Sequence, residues 1–198
     1  METLAALALS LGAGWAAGYN SYATVLVLGG AQRLGLVSLP TDLQVLGSPW
    51  VLGVAAILFA LNFLADKIPF IDSVNDVLHT AVRVPAGILL AWGAAGGLSA
   101  EWAVIAGLLG GTLALGSHVA KTGTRALINT SPEPFSNVAA SLAEDGLVIG
   151  GLVLAIAHPA IFLLLLAGFV AAVVILLPRL LRWMASAFRR VARRGSSP

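Results

Sequence analysis

The residues able to do chemistry are few and gathered. Asp66, Asp72 and Asp76 lie in the run from Asp66 to His79, and Glu133, Glu144 and Asp145 fall in or just after the run 131–137. Together they are most of the nine acidic residues. Asp72 and Asp76 are one helical turn apart, and His79 and Arg83 continue the same face. Asn137, Ser141, Glu144 and Asp145 form a second helical stripe, and His118, Lys121 and Arg125 form a third. The other faces of these helices are apolar. Ionisable groups within a membrane bundle are costly and usually face its interior or a cavity.

Two kinds of chemistry suit such groups. In the first, the acids with His79 and His118 line a polar path for a solute or ion, and Lys121 or Arg125 meets an anionic substrate or balances the carboxylates. In the second, Asp72 and Asp76, with His79, hold a divalent cation, and His79 or His118 serves as base. Lys121 and Arg125 then bind the phosphate of a lipid. A plainer reading stands beside both: Lys67, Arg83, Lys121 and Arg125 are loop charges with solvated partners, and Asp72 caps a helix starting at Ser73. No P-loop, HExxH or Ser/His/Asp order occurs, which favours transport or scaffolding over an enzyme.

The elements that must position these groups are membrane helices. Apolar residues make up 59% of the 198 and charged residues 10%, against roughly 25% charge in a soluble domain. The mean hydropathy of +0.95 agrees. The expected fold is all-α, a polytopic transmembrane helix bundle. Apolar segments run over 4–31, 49–65, 84–98, 101–120, 138–157 and 159–177, about six spans at ~20 residues each. Residues 1–178 are expected to form the bundle and 179–198 a basic amphipathic tail. Segment 4–31 would be about 42 Å long against a core of ~30 Å. It therefore tilts or breaks near Gly18–Asn20, which brings Asn20 among the candidate site residues. Pro69 and Pro132–Pro134 suggest one or two short re-entrant or broken helices.

Counted as six spans, Lys67, Arg83, Lys121, Arg125 and the arginine tail share a side with the N-terminus. The positive-inside rule makes that side, and both termini, cytoplasmic. A first segment that crosses twice changes this parity. The N-terminus lacks a basic signal region, and no cysteine is present. Glycine pairs such as Gly14/Gly18 and Gly146/Gly150 allow close helix approach, within the chain or in a homo-oligomer. In the tail, Trp183 and Phe188 share a face among arginines, which suits anionic lipid of the bilayer better than nucleic acid.

Several strings are specific: Ser48-Pro49-Trp50, Ala65-Asp66-Lys67-Ile68-Pro69, Lys121-Thr122-Gly123-Thr124-Arg125, the run 129–137, and Leu142-Ala143-Glu144-Asp145. On these the chain resembles the bacterial membrane proteins catalogued as domain of unknown function 4126. The resemblance covers nearly everything but the tail. It implies an integral protein of the bacterial cytoplasmic (inner) membrane and brings no activity with it. No cofactor is implied beyond the divalent cation considered above.

Overall fold

The computed structural model describes residues 2–68, 71–129 and 134–194, leaving out the side chains of Glu2, Asp72, Ser73, Val77, Pro134, Leu177, Leu180, Leu181 and 183–194. The described residues are helical: α1 (Glu2–Arg33), a 3-10 segment (Thr41–Gly47), α2 (Pro49–Ala65), α3 (Ile71–Ala94), α4 (Ala100–Ile128), α5 (Pro134–Ala157) and α6 (Pro159–Arg194). They divide into two compact units, Met1–Leu163 and Leu164–Pro198. The second unit is the greater part of α6, which stays helical through Pro178.

Ser48 and Pro49 occupy the N-cap position and first turn of α2, as expected, and Ser99 the N-cap position of α4, with no side-chain cap hydrogen bond at either serine. At the end of α1 the chain leaves the helix through Gly35, whose φ of 69° suits a residue without a Cβ. The Leu36 amide closes back onto Ala31, as in a Schellman stop.

The first helix is the decisive element. Asn20 has non-helical angles, φ −156° and ψ 98°, and divides α1 into halves 2–19 and 21–33. The halves run in opposite senses. In the first, Gly14 lies against Gly110 and Gly18 against Ala114 and Ser117, so it runs parallel to α4. In the second, Tyr22 meets His79 near the start of α3, and the chain then turns back to the other end. There a cavity of about 280 Å³ is lined both by Ala5 and Leu9 and by Val37 and Pro40, with Ala94 and Ala155. An unbroken α1 would hold Ala5 and Arg33 about 42 Å apart.

The other helices fit around this hairpin. α3 and α4 are antiparallel, with Thr80 beside His118 at one end and Gly107 beside Trp92 toward the other. α5 is antiparallel to the first half of α1, with Asn20 bonded to Asp145 and Gly12 near Ala155. Glycine lets these backbones touch: a Cβ on Gly14 would sit 2.5 Å from the Gly110 Cα, and one on Gly87 the same distance from the Ala114 Cβ.

This arrangement corrects the count of six spans. Among the described residues three helices are long and apolar enough to cross a membrane: Ala100–Ile128, Phe135–Ala157 and Pro159–Leu176. A fourth is reached if the 3-10 segment and α2, bent by 68°, form one span. Two of the expected segments fall short for a physical reason: α1 is spent on two half-helices, and α2 alone is ~26 Å long. The break also changes the parity on which the placing of the N-terminus rested. The start of α1 lies beside Ala94 and Ala155, at the end of the first unit away from Lys67, Lys121 and Arg125.

Candidate functional site: a buried ion-pair centre

At the end of the first unit where α1 breaks, several helix termini converge. The C-terminal ends of α2 and α4 arrive there, and α3 and α5 start there. Each brings a polar stripe. Asp66 is the first residue past α2, Asp76 and Arg83 sit on α3, His118, Lys121 and Arg125 on α4, and Asn137, Ser141 and Glu144 on α5. All of these are buried. The two acidic segments of the sequence therefore meet in one centre.

Lys121 is the hub. Its ammonium lies 2.7 Å from Asp66 Oδ2, 3.4 Å from Glu144 Oε2 and 3.5 Å from Asp76 Oδ1, so a single cation ties α2, α3 and α5 to α4. Arg125 grips Glu144 through two bonds, Nε to Oε1 at 3.1 Å and Nη2 to Oε2 at 2.7 Å. Its Nη1 donates to the Asp66 and Asn137 carbonyls and to Asn137 Oδ1. This fork matches the planar guanidinium, and a lysine would not reproduce it. Arg83 donates to Asp76 Oδ1 at 2.7 Å. The second oxygen of Asp76 has no hydrogen-bond partner among the described residues.

The neutral groups complete the circuit. Arg83 can only donate, so His118 Nδ1 accepts from it at 3.0 Å. The imidazole proton then sits on Nε2, which donates to Thr80 Oγ1 at 2.6 Å, and Thr80 donates to the Asp76 carbonyl. His118 is thereby fixed as one neutral tautomer. Asn62 and Asn75 bridge Asp66 and Arg83. Burial works against the Asp66 carboxylate, but Lys121, with Arg83 and Arg125 behind it, holds that carboxyl below its usual range.

The α1 break is part of the same centre. Asn20 Oδ1 accepts from the Ala23 amide at 3.1 Å, so Asn20 is the N-cap of the second half-helix. Its Nδ2 donates to Asp145 Oδ1 at 3.1 Å. One amide thus satisfies a broken backbone and holds α5. Lys67 lies nearby, with Nζ 3.3 Å from Ser141 Oγ, 3.2 Å from the Phe63 carbonyl and 2.8 Å above the Phe63 ring. Burial keeps its ammonium below the usual lysine range, while Asp145 and Asp66 pull the other way.

Of the residues expected from sequence, Asn20, Asp66, Asp76, His118, Lys121, Arg125, Asn137, Glu144 and Asp145 come together here. His79 stands at the rim, its Nδ1 donating to the Asn75 carbonyl at 2.8 Å and its ring edge-on to Tyr22. Glu133 and the side chain of Asp72 lie outside the described residues. Among the described residues no group of three or more histidine, cysteine, aspartate or glutamate side chains is placed to hold a metal ion. Around Asp76 it is Arg83 and Lys121 that meet the carboxylate, and His79 is turned to a carbonyl.

Sequence reasoning missed Asn62, Asn75 and Thr80 as members, and it left Lys67 and Arg83 out of the candidate site although Arg83 continued the Asp72–Asp76 face. For Asn62 a signal existed: it is a lone amide in an apolar helix, one turn before Asp66. Nothing comparable marks Thr80, whose role depends on the helix that packs across from it.

The model of a protein family described as a domain of unknown function (DUF4126) matches residues 7–179. No curated protein and no solved structure matches the chain.

Proposed function

The chain belongs to the DUF4126 family of domains of unknown function, and from the geometry of its centre we propose that it is a small membrane transporter or channel whose path runs by that centre. The carrying observation is the break of α1 at Asn20 beside buried charge. A helix interrupted where apolar helices converge costs backbone hydrogen bonds and is tolerated only against protein or a water-lined cavity. Broken helices whose ends meet polar and charged groups are how many transporters hold their cargo. The second half of α1 reads as a re-entrant element. Acidic and basic groups in the centre are balanced in number, so an ion or small solute can be handled without a large field opposing it.

By the positive-inside rule, Lys67, Arg83, Lys121 and Arg125 favour the cytoplasmic face for the end holding the centre, and the tail arginines favour the cytoplasm for the C-terminus. With α1 folded back, the N-terminus then faces the other side. The chain has no cysteine, so Glu2→Cys and Ser196→Cys report on each end singly. Labelling of position 2 from outside and of position 196 from inside is the expected result. Labelling of both from inside restores the six-span parity.

The transport reading is tested in sealed vesicles carrying the purified full chain and an internal pH dye. An imposed potassium diffusion potential should drive ion or proton movement above that of protein-free vesicles. Asn20→Ala should lower it while the protein stays folded. If vesicles with and without protein behave alike for protons, sodium, potassium, chloride and phosphate, transport is rejected and the centre is a packing device.

A further inference from the structure

Three carboxylates of the centre are held by cations. Asp66, Asp76 and Glu144 each lie within 4 Å of Lys121, Arg83 or Arg125, and all three are buried. Asp145 differs on both counts. It is only half-buried, and no ion pair joins it to a described residue; its hydrogen bond comes from the neutral amide of Asn20. Lys67 is the matching exception among the basic groups of the centre: its ammonium rests on a hydroxyl, a carbonyl and an aromatic ring. Ser141, which holds it, lies one helical turn before Asp145 on the same face of α5.

The geometry points to Asp145 as the proton-binding group of this centre, with Lys67 as the cation that replaces the proton when it leaves. The inference deepens the transport reading, naming the proton as the ion handled there. A carboxylate beside a cation stays charged, whereas one taken partly out of water without a cation favours the neutral acid. In the loaded state Asp145 carries the proton on Oδ2 while Oδ1 accepts from Asn20. On release the proton passes to water, the carboxylate becomes charged, and Lys67 moves from Ser141 by one turn, about 5.4 Å, to pair with it. Lys67 keeps its own proton throughout.

The charges bearing on Asp145 from the packed elements are Lys67 and Asp66 at the end of α2 and Lys121 of α4, with Asn20 as the neutral partner from α1. Glu144 adjoins it on α5, but Arg125 neutralises that carboxylate. The exchange therefore alters one ion pair and leaves the Lys121 hub in place. Because Asn20 is also the cap of the second half-helix, the state of Asp145 is felt at the α1 break.

Infrared difference spectroscopy of the full chain in vesicles tests this, because the C=O stretch of a carboxylic acid is absent from a carboxylate. The wild type should show such a band that disappears as pH rises. Asp145→Asn, which imitates the loaded state, should remove it, and Asp145→Glu, retained in case the amide variant fails to fold, should move its position. Lys67→Gln should shift the midpoint upward by roughly one pH unit, because the charged form loses its cation. A band that survives in Asp145→Asn, or no titrating band in the wild type, overturns the assignment. An unmoved midpoint in Lys67→Gln overturns the exchange. A band that depends on Asp145 in a protein without flux rejects transport and leaves the proton site standing.

Discussion

The ammonium of Lys121, deep on α4, lies 2.7 Å from the carboxylate of Asp66, the first residue beyond α2. The two are far apart in sequence, and each is nearly inaccessible to solvent. A buried pair of this kind adds little net stability, since desolvation offsets most of the attraction. Removing one member alone is costly, because the other is left charged in a poor dielectric.

Lys121→Met should therefore destabilise the bundle by about 3–5 kcal/mol, read as a lower melting temperature of the full chain in detergent. Adding Asp66→Asn to it should recover part of the loss, since one of the stranded carboxylates is then gone. A single variant that melts like the wild type would show that the hub is dispensable.

The crossing of α1 and α4 offers a steric test. Gly14→Ala would put a methyl group 2.5 Å from the Gly110 Cα, against backbone that cannot yield cheaply. Overpacking at such a contact costs about 1–3 kcal/mol. Among the described residues nothing lies within 4 Å of a Cβ placed on Gly146 or Gly150 of α5, so Gly146→Ala and Gly150→Ala should leave melting unchanged or raise it through better helix propensity. Loss of stability in the α5 variants would mean that a second copy covers that face.

At Asn20, capping can be separated from the bond to Asp145. Asn20→Ala loses both, at about 1 kcal/mol for the cap. Asn20→Ser keeps an N-cap hydroxyl but is too short to replace the amide at Asp145. Serine should restore most of the melting temperature without restoring vesicle flux. Equal recovery of both properties would reduce Asn20 to a structural cap.

The paired Asp66 carboxyl sets an acid limit. Its value in the folded protein is depressed, so its contribution is fully present above the unfolded value, about 3.9, and is lost as pH falls through the lower folded one. Melting temperature measured downward from pH ~6 should fall most steeply below pH ~4, and Asp66→Asn should flatten that limb. The same slope in wild type and variant would assign the acid sensitivity to other groups.

How much of this was legible beforehand follows from what is local. Composition pointed to membrane helices, because too little polar surface exists to cover a soluble domain. Helical spacing placed His118, Lys121 and Arg125 on one face, and Asn137, Ser141, Glu144 and Asp145 on another, because period is a property of a single helix. The excess length of the first segment pointed to a break near Asn20. What local pattern does not contain is which faces meet. Whether Lys67 and Arg83 were loop charges or members of the centre was decided only when α4 and α5 packed across from them, and Thr80 acquired a role only from the His118 ring. The span count failed in part for a related reason: hydropathy measures apolar length, whereas one non-helical residue at Asn20 turns that length back on itself. The tertiary structure decided these points through close backbone crossings such as Gly14 on Gly110. Such contacts set the register between helices, and register determines which charge faces which.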